Sequence, residues 1–108
     1  MKIYILILGL TLSGFLLTNC SKTVEERWVI YEEEGCLPPW VSLKNDNRTR
    51  DNLEDLLRND GIIPLRIKIS GERNDNCNDC NCLTGKLYRV QVDKSQLNHM
   101  YYFGFRSE

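Results

Sequence analysis

The chain has 108 residues, which is room for one domain. Hydrophobic residues make up 42% and charged ones 27%, the balance of a folded chain rather than a disordered one. The formal net charge of −1 leaves no basic excess and argues against nucleic acid as a partner.

Residues 1–20, MKIYILILGLTLSGFLLTNC, differ from the rest. Lys2 is their only charge, and Ile3 to Leu17 is mostly apolar. A membrane-spanning helix needs about 20 apolar residues, so this run is short for one. It has the length of the apolar region of a secretory signal peptide. The run closes on Leu17, Thr18, Asn19 and Cys20. That ending resembles the lipobox of bacterial lipoproteins: Leu at −3, two small residues, then Cys. Thr18 and Asn19 are larger than the usual Ala, Ser or Gly, so the motif is a relaxed one. The resemblance implies a signal peptide over 1–19, cleavage before Cys20, and acyl chains on its thiol and amine. Two or more acyl chains give stable attachment, since each buried methylene is worth about 0.8 kcal/mol. The expected location is the bacterial cell envelope, in the outer membrane, and the first expected partner is the membrane itself. Cleavage also removes Lys2, so 13 of the 14 basic residues face 15 acidic ones.

Residues 20–26 form a lipidated tether, with a polar stretch, SKTVEE, that keeps the folded part near the membrane. The folded domain is expected over 27–108. RWVIYEE, residues 27–33, is rich in aromatic and β-branched side chains and predicts a first strand. Gly35, Pro38 and Pro39 break it. Residues 45–60 place Leu53, Leu56 and Leu57 on one helical face, with Asn or Asp as caps and Gly61 as a stop. Residues 62–70 alternate from Leu65, with Leu65, Ile67 and Ile69 on one side and Arg66, Lys68 and Ser70 on the other. Residues 86–93 alternate again, Tyr88, Val90 and Val92 against Leu87, Arg89 and Gln91. These two strands form an antiparallel hairpin. Residues 93–104 predict a short helix capped by Asp93 or Ser95, with Leu97, Met100 and Tyr101 on its face and Gly104 at its end. Phe105 then packs back on the last turn. The order β-α-β-β-α implies an α+β fold, a small two-layer α/β sandwich. So small a core calls for staples.

The chain holds five cysteines, an odd number. Assigning Cys20 to lipid leaves Cys36, Cys77, Cys80 and Cys82. An even set in a small exported domain reads as two disulfides. Zinc is the rival, since four thiolates suffice for a tetrahedral site. However, only one C-x2-C knuckle exists, and an oxidising compartment competes for the thiols. Redox catalysis fits less well, because the Asn and Asp residues around Cys77 and Cys80 disfavour a thiolate. Of the three possible pairings, the one joining Cys80 to Cys82 is disfavoured by disulfide geometry. Cys36–Cys80 with Cys77–Cys82 is preferred over Cys36–Cys82 with Cys77–Cys80.

His99 is the only histidine and has no evident nucleophile or acid partner. Asp75 and Asp79 lack the glycine and terminal glutamate of a calcium loop. Glu32, Glu33 and Glu34 read as a solvated strand end. Trp40, Tyr101, Tyr102 and Phe103 offer two readings: an exposed recognition patch, or core, which a small domain needs more. Gly35, Cys36, Pro39 and Trp40, followed by Cys77, Cys80, Cys82, Thr84 and Gly85, resemble motifs of small bacterial envelope lipoproteins without an assigned activity. The resemblance transfers no catalytic residue. The expectation is a binding or structural envelope lipoprotein without cofactor, not an enzyme. The alternatives are a metal-binding lipoprotein using the four thiols, and an inhibitor-like lipoprotein acting on an envelope protein.

Overall fold

A computed structural model describes residues 23–108, and the apolar run, the lipobox and Cys20 lie outside them. Alternation along the strands divides the described part into layers. Strand β1 (Glu26–Glu34) and strand β3 (Leu83–Asp93) run antiparallel, with Val29 opposite Val90 and Tyr31 opposite Tyr88. Strand β2 (Arg66–Ser70) pairs antiparallel with β3, placing Ile67 beside Val90 and Ile69 beside Tyr88. A two-residue strand β4 (Arg106–Ser107) pairs with β1, and the spatial order is β2-β3-β1-β4. The chain is thus an α+β, two-layer domain in the order β-α-β-β-α, with β4 added at its end.

Helix α1 (Asp46–Asn59) starts at Asn45, whose side chain accepts from the Arg48 N–H at 2.7 Å. It ends in a Schellman motif: Ile62 N–H reaches Leu57 C=O and Gly61 N–H reaches Arg58 C=O. Gly61 has φ +82°, a conformation glycine adopts without a Cβ clash. Ile62 and Leu57 are both fully buried, which supplies the motif's apolar contact. Asp93 caps a 3₁₀ turn (Lys94–Gln96) by accepting from the Ser95 N–H, and helix α2 (Leu97–Tyr102) follows. The same Schellman pattern ends α2. Phe105 N–H reaches Met100 C=O, Gly104 N–H reaches Tyr101 C=O, and Phe105 and Met100 are both buried.

The helices bury Leu53, Leu57 and Met100 against Val29, Tyr88, Val90 and Val92 on one sheet face. Trp40 joins them at 4% exposure. Its ring meets Tyr31 and Tyr88 edge-on and stacks on Phe105. Two polar ties hold the loop that carries Trp40. Thr49 Oγ1 exchanges hydrogen bonds with the Ser42 backbone, and Asn52 Nδ2 donates to Trp40 C=O.

Three boundaries differ from the sequence expectation. The second strand starts at Arg66 rather than residue 62, because Ile62 is spent on the helix cap; Leu65 is 41% exposed rather than facing the core. The third strand begins at Leu83, immediately after the last cysteine. The expected tether ends early, since Glu25 N–H bonds Asp93 Oδ1 at 2.9 Å, Glu25 C=O accepts from Lys94 N–H, and Glu26 is already strand.

Candidate functional site

The end of the sheet away from residue 26 is built from three segments: the exit of β1, the β2–β3 connection, and the start of β3. The structure joins Cys36 to Cys80 and Cys77 to Cys82, with Cα separations of 4.6 and 5.5 Å. The first bond ties the β1 exit to the connection, and the second closes a small ring within it. Backbone bonds reinforce them: Gly35 N–H donates to Cys82 C=O at 2.9 Å, and Asn74 N–H to Thr84 C=O at 2.7 Å. Gly35 lies flat against this loop. A Cβ there would stand 2.4 Å from Asp79 O, so no larger residue fits without displacing backbone. Asn74 and Asp79 fold the loop by accepting from the backbone two residues on.

Beneath the loop lies a group the sequence reading missed. Glu33, expected in a solvated charge run, is fully buried. The β1–β3 register explains it. Glu32 faces Leu87 and Glu34 faces Leu83, so Glu33 alone opposes Thr84, Gly85 and Lys86. This bulge, with Gly85 at φ +100°, brings Thr84 Oγ1 to 2.9 Å from Glu33 Oε1. Arg73 of the connection grips the carboxylate with two N–H groups, Nε to Oε1 at 2.6 Å and Nη2 to Oε2 at 3.0 Å. Tyr88 donates its hydroxyl to Oε2. Four donors thus satisfy both oxygens. Burial alone would raise the Glu33 carboxyl. The hydrogen bonds from Arg73, Tyr88 and Thr84, with the Arg73 charge, outweigh it and hold the group below its ordinary value. The same burial, with the Glu33 bond, pushes the Tyr88 hydroxyl up. The only sequence clue was parity: Val29, Tyr31 and Glu33 share one face of an alternating strand.

A cavity of about 260 Å³ opens beside the bulge, lined by Glu32, Glu33, Leu83, Gly85, Lys86 and Leu87. Its polar groups are already engaged. Glu33 is saturated, and Lys86 Nζ sits 2.7 Å from Asp46. The arrangement holds a loop in one shape. His99 is exposed on α2. Both thiol pairs are bonded as disulfides, so neither offers the thiolates that zinc ligation requires. Among the described residues no three His, Cys, Asp or Glu side chains cluster as a metal site.

The four aromatics, for which core is preferred over an exposed patch, divide between the two readings. Trp40 is buried, because its loop is drawn into the Tyr31, Tyr88 and Phe105 cluster, so it cannot belong to an exposed recognition surface. Tyr102 is 87% exposed and meets Phe103 edge-on, while Tyr101 is 41% exposed with its hydroxyl against Ser107. Comparison of the chain with family models, curated proteins and solved structures finds no match.

Proposed function

We propose that this chain is an exported bacterial lipoprotein, anchored at the cell envelope through acyl chains on Cys20, whose disulfide-stapled domain serves as a binding or structural module rather than an enzyme. The observation that carries this reading is the pair of disulfides. Such bonds persist in oxidising compartments outside the cytoplasm and are rare within it. The apolar run before Cys20 supports the same export route. An enzyme would need a nucleophile and a base, or paired acids, within reach of one another. The buried polar group here instead has every oxygen committed to holding the loop. A rigid loop at one sheet end and tether attachment at the other suit a module that presents a fixed surface.

The test is the mass of the N-terminal peptide of the protein recovered from envelopes, with a thiol count made without reductant. The expected result is an acylated Cys20 and no alkylatable thiol. An unmodified N-terminus, an acylated Cys20→Ala variant, or four free thiols would overturn the reading.

A further inference from the structure

The sheet face turned away from the helices carries a different chemistry, and its place relative to the tether gives it a use. Trp28, Gln91 and Arg66 form one row across β1, β3 and β2; Ile30, Arg89 and Lys68 form the next. Arg106 of β4 lies opposite Ile30 and extends that row. Trp28 lies between two cations, Lys68 Nζ at 5.1 Å and Arg89 Cζ at 5.4 Å from its ring centre. Both helices pack on the other face, so among the described residues no element covers this one.

Four cations, Arg66, Lys68, Arg89 and Arg106, share the face with Glu26, Glu32, Glu34 and Glu108, and Asp93 stands at its edge opposite Glu26. Glu34, at the loop end of β1, makes no ion pair among the described residues; Asp93 is held by the Glu25 and Ser95 N–H groups, and the other three are held as well. Glu32 accepts from Arg106 at 2.7 Å, Glu108 from Arg89, and Glu26 from the Gln91 amide at 3.0 Å. Arg66 and Lys68 make no ion pair among the described residues, and they flank the tether-proximal half, where Trp28 sits. Glu32 lies at the other end of the strand.

The tether sets how far this face can stand from the anchor. Glu25 is tied to the end of β3, so only residues 21–24 separate the fixed chain from Cys20. Even fully extended, Cys20 to Trp28 is eight steps of about 3.5 Å, at most about 28 Å. The half-buried indole with cations on either side is the combination that settles at a headgroup layer, the ring at the interface and the cations on phosphates.

We propose that this open sheet face lies on the anionic phospholipid headgroups of the membrane that holds the anchor, with Trp28 at headgroup level and Arg66 and Lys68 on phosphates. The inference rests on the Cys20 anchor proposed above. It lays the helical layer outward and turns the stapled loop along the membrane plane.

The test uses the full acylated protein reconstituted into vesicles of phosphatidylcholine, or of phosphatidylcholine with phosphatidylglycerol. Each preparation contains a lipid with a nitroxide on its headgroup. Buried Trp40 supplies the baseline, read alone in Trp28→Phe. The expected result is roughly twofold stronger quenching of Trp28 in the anionic vesicles, lowered by added salt because the attraction is screened. Arg66→Glu, whose exposed side chain has no partner to lose, should drop quenching to the phosphatidylcholine level. Equal quenching in both lipids, or no change in Arg66→Glu, would overturn the proposal. The N-terminal mass, read on the same sample, separates the two claims. An acylated protein with unquenched Trp28 refutes the docking face alone, and an unacylated one refutes the anchor and the docking face together.

Discussion

Replacing Arg73 with Met removes both N–H donors that grip Glu33 and leaves a fully buried carboxylate held by Thr84 and Tyr88 alone. Arg73 is itself mostly covered, with a side-chain exposure of 21%, so little of the pair is screened by water. Breaking a buried ion pair from one side costs about 3–5 kcal/mol, because the remaining charge is uncompensated. For a domain whose total stability is roughly 5–15 kcal/mol, that is a large share. At a urea slope of about 1 kcal/mol per molar, the midpoint should fall by about 3–5 M. The sign with pH follows from the carboxyl. In the parent protein Glu33 titrates below its ordinary value of 4.5, so its stabilisation is complete above that value and is lost as pH falls through the depressed folded value. In the variant the folded Glu33 loses its cation and its carboxyl rises. Acid then neutralises the orphaned charge while the parent is still ionised. The deficit between the two proteins should therefore shrink between pH 7 and pH 4. Urea titrations followed by tryptophan emission, with the disulfides intact, measure both quantities. A loss under about 1 kcal/mol at pH 7, or a deficit unchanged at pH 4, would refute the assignment of Glu33 and Arg73 as a buried lock.

Further outcomes follow from the same geometry. Removing Cys36–Cys80, which spans 44 residues, should destabilise by about 4 kcal/mol, against about 2 for Cys77–Cys82 spanning five, in the chain-entropy treatment. Thermal melts of the two double-Ala variants would show the reverse order if the long bridge were not the main staple. Gly71→Ala should be far worse than Gly61→Ala, although both glycines have φ near +80°. A Cβ at 71 lands 2.0 Å from Gly85 O, whereas one at 61 meets nothing within 4 Å and costs only about 1–2 kcal/mol of backbone strain. Equal melting shifts would contradict the close approach of the β2 exit to the bulge. Trp40→Ala should cost about 3–5 kcal/mol as a buried aromatic, while Tyr102→Ser should stay within about 0.5 kcal/mol. A larger loss at Tyr102, read by chemical denaturation, would mean that its ring packs on the domain.

Much of the architecture could be read from local pattern, because local physics decides it. Alternation along β2 and β3 needs only a period of two, and β1 only its aromatic and β-branched side chains. The stop at Gly61 and the turnback at Phe105 follow from glycine's access to positive φ. The cysteine arithmetic likewise needs only a count and a compartment. Glu33 could not be read this way. Its neighbours in sequence are two exposed glutamates, and its partners Arg73, Thr84 and Tyr88 lie 40 to 55 residues away. Only the β3 bulge, which sets three residues against one, puts them around a single carboxylate. Trp40 went to the core for the same reason, since its aromatic partners come from β1, β3 and the segment after α2. Local residue pattern set the three longer strands, both helices and most of their apolar faces, but neither β4 nor the place of Leu65. Which charge is buried, which aromatics are covered and where the cations stand relative to the tether came from the folded arrangement, because those depend on register and contact between segments far apart in the chain.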